Sequence, residues 1–507
     1  MIDKDRKNEL KIGVFLSIAG IILSCLIQIL YTPFYIKELG TTDYGINSLV
    51  QSIISYISML SFGVGNTLVR YILKYRNDND EESEKNLNGI FFYFFIFIMI
   101  LSFFLGIYIY FKIPNFFNRS FTEENLKKLQ QIFLLMLITT IFSFPTIVFT
   151  ANITSYQKFI YLKGINLLKI ILIPIFGIIL LFNGFGLVEI VIFNMVISFL
   201  SYFLDIYYSI KLKFKIKLLN LKFNIIKEVF FYSFYIFLHL IIDRIYWNTD
   251  KIIIGKFIGS EEVGIYSIAT IFNMVYLNLS TSISSVFFPK VSKLVFENKT
   301  KEISNFFIKI GRSQYIILGL ISSGFIIFGK EFIYLWLGKS FEKVYTISLW
   351  IMIPLTVPLI QSIGISIIQA QNKHKFRAIM YFIIALLNIL WSILLVKKLG
   401  IEGCAIATGL SFILGHIIMM NLYYHFKIKI NIILFWKNIL KMTVPIVIAS
   451  IIGIFLNKVI NVYSIQNFII KITFYSLIYF KFMYFMGMDL EEKNEVRKIL
   501  KIKRNDL

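Results

Sequence analysis

Long apolar runs are the feature that most constrains this chain. Stretches of about eighteen or more mostly apolar residues recur from one end to the other, and this length spans a bilayer as an α-helix. In the hydrocarbon core such a helix also satisfies its own backbone hydrogen bonds. Of the 507 residues, 57% are hydrophobic and 16% charged, whereas about a quarter are charged in a typical soluble protein. The sequence therefore predicts an all-α integral membrane protein.

Breaks of charge, glycine, proline and asparagine divide the runs into about fourteen predicted helices. They lie near residues 11–37, 44–73, 87–111, 127–151, 163–182, 187–210, 225–256, 262–288, 309–328, 344–370, 376–396, 401–425, 440–457 and 465–486. An even number places both termini on one side. On that side lie 35 of the 52 Lys and Arg residues, in tails, loops and helix ends, against 13 on the other. The positive-inside rule then predicts that both termini are cytoplasmic.

A thirteen-residue echo indicates an internal duplication. KELGTTDYGINSL begins at Lys37 and KFIGSEEVGIYSI begins at Lys256, with five identities and four conservative pairs. Weaker matches recur at offsets of 213 to 217, among them Pro145 with Pro358. Helices 1–6 and 7–12 are thus predicted to be two copies of one unit, related by a pseudo-two-fold axis along the membrane normal.

The duplication gives a predicted division of the chain into five parts. These are an N-lobe at 1–210, a basic cytoplasmic linker at 211–224, a C-lobe at 225–425, two extra helices at 426–486 and a basic cytoplasmic tail at 487–507. The tail is expected to lie along the anionic inner surface of the membrane. The alternation of Lys with apolar residues in the linker favours an interfacial segment.

Polar stripes run along the second and eighth predicted helices. Gln51, Asn66 and Arg70 lie on the second, and Asn273 lies on the eighth. Ser and Thr in such stripes are also common where membrane helices pack against each other. Gln and Asn are larger and cost more to desolvate, so we expect Gln51, Asn66 and Asn273 to line a polar cavity.

The stretch HLIIDRIYWNTDK, residues 239–251, carries the sharpest functional signal. It places Asp243 and Arg244 about halfway along the seventh predicted helix, at a depth where unpaired charge is expensive. At α-helical spacing Asp243, Trp247 and Asp250 share one face, and Arg244 lies on the next. One face could hold a cation or proton and the other an anion. The alternative is a structural ion pair with a neighbouring helix.

Several classes of function find no support in the sequence. The chain has no Walker A loop and no outer loop that could carry catalytic carboxylates. Cys25 and Cys404 lie in apolar runs, so neither a metal site nor a cofactor is predicted. The net charge of +23 fits basic cytoplasmic loops, and no nucleic-acid-binding module accompanies it. Further charges lie inside spans: Lys169, expected to extend its amine to the membrane surface, Asp205, whose role the sequence leaves open, and Lys471 and Lys481 in the last predicted helix.

Four segments carry a family resemblance. They are YTPFYIKELGTTDYG at 31–45, NTDKIIIGKFIGSEEVGIYSIA at 248–269, FGKEFIYLWLG at 328–338 and IIQAQNKHKF at 367–376. They resemble the Wzx-type oligosaccharide flippases of the multidrug/oligosaccharidyl-lipid/polysaccharide exporter superfamily. The resemblance covers nearly the whole chain and implies fourteen helices in two lobes. Its motifs are specific to the family and not to a substrate.

The resemblance implies a carrier and not an enzyme. It would move undecaprenyl-pyrophosphate-linked oligosaccharide repeat units, such as those of O-antigen, to the outer leaflet of a bacterial cytoplasmic membrane, driven by an ion gradient. The residues implied are Arg70 and Arg244 for the pyrophosphate, Tyr246 and Trp247 for the sugar, Gln51, Asn66 and Asn273 in the same cavity, and Asp243 or Asp250 for the coupling proton or sodium ion. The partners implied are the lipid-linked oligosaccharide, the coupling cation and membrane lipids, with a polysaccharide polymerase and assembly proteins as further candidates.

Two rival functions stay open at this point. A drug/cation antiporter of the same superfamily would typically have twelve helices, so the extra C-terminal pair argues against it. A membrane-embedded glycosyltransferase or polysaccharide polymerase would need a large outer loop with catalytic residues, and the outer loops here are short.

Overall fold

The computed structural model describes residues 2–217, 233–234, 237–238, 240–460 and 462–499, and within these ranges the regular structure is entirely helical. The α-helices in these ranges are Ile2–Ser58, Val64–Asn77, Glu81–Phe117, Glu123–Ser155, Phe159–Phe182, Leu187–Lys211, Asp250–Phe257, Ser260–Ser285, Phe288–Phe296, Thr300–Leu337, Glu342–Ile360, Ile363–Ala370, His374–Leu399, Ile401–Phe412, Met420–Tyr423, Ile432–Val459, Ile465–Phe482 and Leu490–Ile499. Wider π-helical turns lie at Ile245–Thr249, Ile413–Met419, Tyr424–Ile428 and Met483–Gly487.

The predicted membrane helices are confirmed in the parts of the chain that the structure describes. Twelve helical segments there are long and apolar enough to cross a membrane. The first of them, Ile12–Asn77, contains both the first and the second predicted helix. Residues 225–232, 235, 236 and 239 of the seventh prediction, 225–256, and half of the predicted linker fall outside the described residues. The chain is thus a multi-pass, all-helical membrane protein.

Contacts within the chain define two compact units. The first unit comprises Met1–Ile268 and Val396–Ile401, and the second comprises Ala269–Leu395 and Glu402–Leu507. In the first unit, the π-turn Ile245–Thr249 and the helix Asp250–Phe257 pack against the first helix, Ile2–Ser58. The predicted six-helix lobes stay a prediction, since this grouping places the start of the echo's second copy with the first six helices.

Polar cap residues determine where several helices begin. Asp80 accepts a hydrogen bond from the backbone N–H of Ser83 at 2.9 Å, and Ser464 accepts one from Asn467 at 3.2 Å. Each cap satisfies a donor that the first helical turn leaves free. These capped starts keep the polar chain ends out of the apolar spans.

The glycines of the echo meet two different backbone requirements. Gly40 and Gly259 have positive φ angles of 83° and 155°, which glycine adopts without strain. Gly45 and Gly264 lie where helices cross backbone to backbone. A Cβ on Gly45 would overlap the carbonyl oxygen of Ser260, and one on Gly264 would lie 2.5 Å from the carbonyl oxygen of Thr41.

This crossing is reciprocal with respect to the duplicated sequence. Thr41 and Ser260 occupy equivalent positions in the two copies, as do Gly45 and Gly264. Each glycine therefore receives the backbone of the other copy's Ser/Thr position. The two echo segments are matched because each forms one half of the same contact.

Replacing Gly45 by alanine is expected to force this crossing apart. Backbone atoms cannot rotate away as a side chain can, so overpacking should cost at least the ~1–3 kcal/mol typical of well-packed sites. The measurement is thermal unfolding of the purified protein in detergent. Gly324→Ala is the matched control, because the nearest atom to a Cβ there lies at an ordinary 3.7 Å. Equal stability of the two variants would contradict the close crossing.

The second predicted helix, 44–73, is interrupted in the structure. A short 3₁₀ turn at Met59–Ser61 follows the first helix, and Phe62 and Gly63 then adopt left-handed φ angles of 51° and 65°. The helix restarts at Val64. Residues before and after the break therefore no longer share a continuous helical face, which the sequence reading of one polar stripe had assumed.

Buried ion pairs fix the C-terminal helices to the second unit. Lys471 is fully buried and bonds Glu331 at 2.7 Å and Asn457 at 3.0 Å. Arg312 bonds both carboxylate oxygens of Glu492, at 2.9 and 2.6 Å. An apolar cluster also joins Thr300–Leu337, Ile432–Val459, Ile465–Phe482 and the π-turn that follows: Ile327, Phe328, Met442, Ile446, Ala449, Tyr475, Tyr479 and Met483.

The predicted basic tail begins with a docked helix. Glu492 lies in the helix Leu490–Ile499 and is 5% exposed. The remainder of the tail, from residue 500, lies outside the described residues. The lysine-rich linker is described as far as Lys217, whose backbone N–H donates to Lys85 O at 3.1 Å.

Candidate functional site

Two neighbouring helical segments carry most of the predicted site residues. The chain from Thr41 to Asn77 runs antiparallel to the described residues between Ser233 and Gly264 within the first unit. The contacts that set this register are Thr67 Oγ1 with Ser233 Oγ at 3.0 Å, the rings of Phe62 and Phe237 at 4.6 Å, Tyr56 with Arg244 and Thr249, and Gly45 with Gly264. The structure therefore brings the polar stripe of the second helix beside the charged stretch of the seventh.

The three candidates on the second helix are exposed. Asn66 and Arg70 lie one turn apart on Val64–Asn77, while Gln51 precedes the break at 59–63. The exposure of Gln51 and Asn66 suits a surface that meets a polar ligand, because an exposed amide at membrane depth needs water or a ligand. Asn66 and Arg70 share one helical face, and Gln51 is set apart from them by the break.

A π-helical turn reshapes the charged stretch. Ile245–Thr249 closes its hydrogen bonds one residue further along than an α-helix does. The extra residue rotates everything after it, so Asp243 and Asp250 do not share the face that α-helical spacing predicted. Asp243 is exposed, whereas Asp250 is 1% exposed and accepts a hydrogen bond from Tyr266 OH at 2.6 Å.

Arg244 lies at the start of this turn with a half-buried side chain. Its Nε atom is buried and makes no hydrogen bond, and no salt bridge joins Arg244 to a carboxylate in the part of the chain that the structure describes. A buried donor without a partner is unusual in a folded protein. The Nε–H group of Arg244 is thus a buried donor that has no partner among the described residues.

Tyr56 holds the π-turn from the neighbouring helix. Its hydroxyl donates to the backbone oxygen of Arg244 at 3.2 Å and forms a short hydrogen bond with the Thr249 hydroxyl. These two contacts lie at the two ends of the widened turn. Tyr56 therefore fixes the backbone from which the Arg244 side chain projects.

The remaining candidates lie in different surroundings. Trp247 is half-buried, and Tyr246 is buried at 6% exposure. Asn273 belongs to the second unit, is fully buried and donates to the backbone oxygen of Ala269 at 3.3 Å. Of these two aromatic residues, Trp247 is the more exposed in this conformation.

Sequence reasoning missed Tyr56, Thr249 and the break at 59–63. Gly63 and Gly65 so close together were a signal for a helix break. Nothing in the sequence signals the π-turn, and its contacts with Tyr56 come from a distant part of the chain. Within the described residues, no group of three or more His, Cys, Asp or Glu side chains could hold a metal ion.

Replacing Tyr56 by phenylalanine is expected to loosen the π-turn. The change removes one hydroxyl and two hydrogen bonds, each worth about 1 kcal/mol, without altering the ring that packs between the helices. Unfolding in detergent measures the loss of stability. Tyr93→Phe is the control, since Tyr93 is 52% exposed. The same stability for both variants would mean that Tyr56 does not hold the turn.

Comparisons with protein families and with individual known proteins point to the same family. The family model described as "Polysaccharide biosynthesis protein" matches residues 10–295. The probable low-salt glycan biosynthesis flippase Agl15 of Haloferax volcanii is 27% identical over 37% of this chain, and the match spans only 39% of that relative's length.

Two solved structures are similar to this chain in fold. "Lipid II flippase MurJ, inward closed conformation" superposes with a TM-score of 0.73 and 19% identity, covering 97% of this chain and 99% of that one. An inward-facing multidrug resistance MATE family transporter of the MOP superfamily gives a TM-score of 0.60 and 15% identity, covering 84% and 99%. At these identities the likeness establishes a common fold.

Proposed function

Because the chain belongs to the polysaccharide biosynthesis protein family, we propose that it is a flippase for undecaprenyl-pyrophosphate-linked oligosaccharide repeat units. It would move them from the cytoplasmic to the outer leaflet of a bacterial cytoplasmic membrane, in the synthesis of a surface polysaccharide such as O-antigen. The similarity to Agl15, a probable glycan biosynthesis flippase, and the fold shared with the lipid II flippase MurJ support this proposal.

The observation that carries the proposal is the state of Arg244. A half-buried guanidinium without a carboxylate partner among the described residues is a ready site for a phosphate. Arginine presents a planar fork of donors that binds two phosphate oxygens at once. Arg70, exposed on the helix beside it, would supply a second positive charge for the pyrophosphate.

The neighbouring polar and aromatic residues suit a sugar. Trp247 offers an aromatic face, and the exposed Gln51 and Asn66 offer amide donors and acceptors. Tyr246 and Asn273 are buried here, so they would contribute only in another conformation of the carrier. The lipid tail can stay in the bilayer while the head group crosses.

Transport is proposed to proceed by alternating access driven by a cation gradient. The crossing of Gly45 and Gly264 would have to separate for release on the outer side. Asp243, which is exposed, suits a proton or sodium ion better than Asp250, which Tyr266 holds in a buried bond. An anion beside Arg244 would change the electrostatic cost of ionising a nearby carboxylate, and this would couple the two events.

Loss of the gene tests the proposal. A deletion strain should lose its surface polysaccharide and accumulate lipid-linked repeat units on the cytoplasmic side, and the wild-type gene should reverse both effects. Unchanged polysaccharide, with altered sensitivity to lipophilic cations, would instead favour a drug/cation antiporter. If the gene encoded a polymerase, its deletion would leave repeat units flipped but not joined. If it encoded a glycosyltransferase, its deletion would leave the repeat units unfinished.

The proposed topology makes a separate prediction. Lys217 and Lys299 are exposed and are expected to face the cytoplasm, as is Lys503, which lies outside the described residues. In a variant without Cys25 and Cys404, a cysteine at each position should resist a membrane-impermeant thiol reagent in intact cells. A cysteine at the exposed Lys339, on the predicted outer side, should react. Rapid labelling at all three cytoplasmic positions would overturn the orientation.

A further inference from the structure

A group of polar side chains between two membrane helices of the first unit has no place in the site described above. It lies between Phe159–Phe182 and Leu187–Lys211 and consists of Tyr161, Lys169, Ser201 and Asp205. Asp205 lies six residues before the end of its helix, about 9 Å along the axis. Charges at such positions cost free energy unless they are paired, hydrated or neutralised.

Two contacts set the register of the helix pair. The rings of Tyr161 and Tyr208 stack at 3.9 Å, and Lys169 Nζ donates to Ser201 Oγ at 3.2 Å. The helices run antiparallel, so this register places Asp205 opposite Gly164. A Cβ on Gly164 would have no atom within 4 Å. The side chains next to Asp205 therefore leave space unfilled.

The polar atoms around this space are not satisfied. Asp205 Oδ1 and the Tyr161 hydroxyl are both buried without a hydrogen-bond partner. The Asp205 oxygen is an acceptor, and the Tyr161 hydroxyl can donate. The two groups also interact electrostatically with each other. Buried polar atoms nearly always have a partner. Two orphaned atoms of complementary chemistry beside one gap indicate that a small polar species belongs between them.

The lysine beside the gap is turned away from the carboxylate. Lys169 interacts electrostatically with Asp205, but no salt bridge joins them, and the amine bonds Ser201 instead. The other titratable groups that face Asp205 are Tyr161 from the packed helix and Tyr202 from its own. The third helix at this place, Glu123–Ser155, meets Tyr202 through the backbone oxygen of Thr139 and adds no charge. Lys169 is thus the one cation acting on Asp205 within the described residues.

We propose that Asp205, with Tyr161 and Lys169, is a proton-binding site of this protein. While Lys169 bonds Ser201, the carboxylate takes a proton from water at the near end of the helix pair and becomes a neutral carboxyl group. When Lys169 turns to Asp205, the ion pair favours the ionised form, and the proton returns to water. That this proton contributes to driving transport rests on the proposed function; that it binds does not.

Infrared difference spectroscopy of the purified protein tests the site without any transport. Between mildly acidic and mildly alkaline buffer, the wild type should show the C=O band of a buried carboxyl group. Asp205→Asn should lose this band, and Asp205→Glu should keep a displaced one. Asp78→Asn is the control and should keep it, because Asp78 is an exposed helix-end residue.

A second variant tests the role of the lysine. Lys169→Met removes the charge that favours the ionised carboxylate, so the band should titrate at higher pH than in the wild type. An unchanged band in Asp205→Asn would overturn the proton site, and an unchanged midpoint in Lys169→Met would overturn the switch. If the band behaves as expected while polysaccharide export by Asp205→Asn is normal, the link to transport is rejected and the proton site stands.

Discussion

Polysaccharide export is expected to fail when Arg244 is replaced by alanine, although the protein still reaches the membrane. Each hydrogen bond between arginine and a phosphate oxygen involves a charged group and is worth about 1.5–3 kcal/mol. Losing one such bond corresponds to roughly ten- to hundredfold weaker binding, and losing two compounds the effect. Arg244→Lys keeps the charge but not the fork, so it should export partially.

The measurement is surface polysaccharide at matched membrane abundance of each variant. Arg119→Ala is the matched control, because Arg119 is an exposed arginine in the turn between two helices. Asp243→Asn should export without depending on the ion gradient if Asp243 carries the coupling ion. Normal export by both Arg244→Ala and the double variant Asp243→Asn/Asp250→Asn would refute the mechanism and leave these charges as structural groups.

Stability should fall most when Lys471 is replaced by methionine. Glu331 is 1% exposed, and Lys471 is its partner at 2.7 Å. Removing one member of a buried pair leaves an uncompensated charge and typically costs about 3–5 kcal/mol. The loss should loosen the contact between Thr300–Leu337 and the C-terminal helices. Thermal unfolding in detergent measures it.

The double variant Lys471→Met/Glu331→Gln separates charge from packing. It removes both charges at nearly constant volume, so it should recover much of the stability lost in Lys471→Met. Lys458→Met is the control, since Lys458 is exposed and has no salt bridge among the described residues. A double variant no more stable than the single one would show that the packing of Lys471, and not its charge, supports this interface.

The sequence by itself determined the membrane class and the positions of the spans. Run length is sufficient for this, because a helix must cross a fixed thickness of hydrocarbon and satisfy its own backbone there. The echo likewise identified Gly40, Gly45, Gly259 and Gly264, since a positive φ or a backbone crossing leaves few alternatives to glycine. These features depend on a residue and its near neighbours along the chain, so the sequence alone is sufficient to identify them.

Only the tertiary structure decided which charges are paired. Lys471 was visible in the sequence as a charge within a span, but its partner Glu331 lies 140 residues away. The tertiary structure also decided the faces of Asp243 and Asp250. Regular α-helical spacing would place both on one face, and the π-turn separates them. That turn is stabilised by Tyr56, more than 180 residues earlier in the chain. Helical periodicity fixes a face only while the hydrogen-bond pattern continues, and where packing changes that pattern the face is decided by a distant residue.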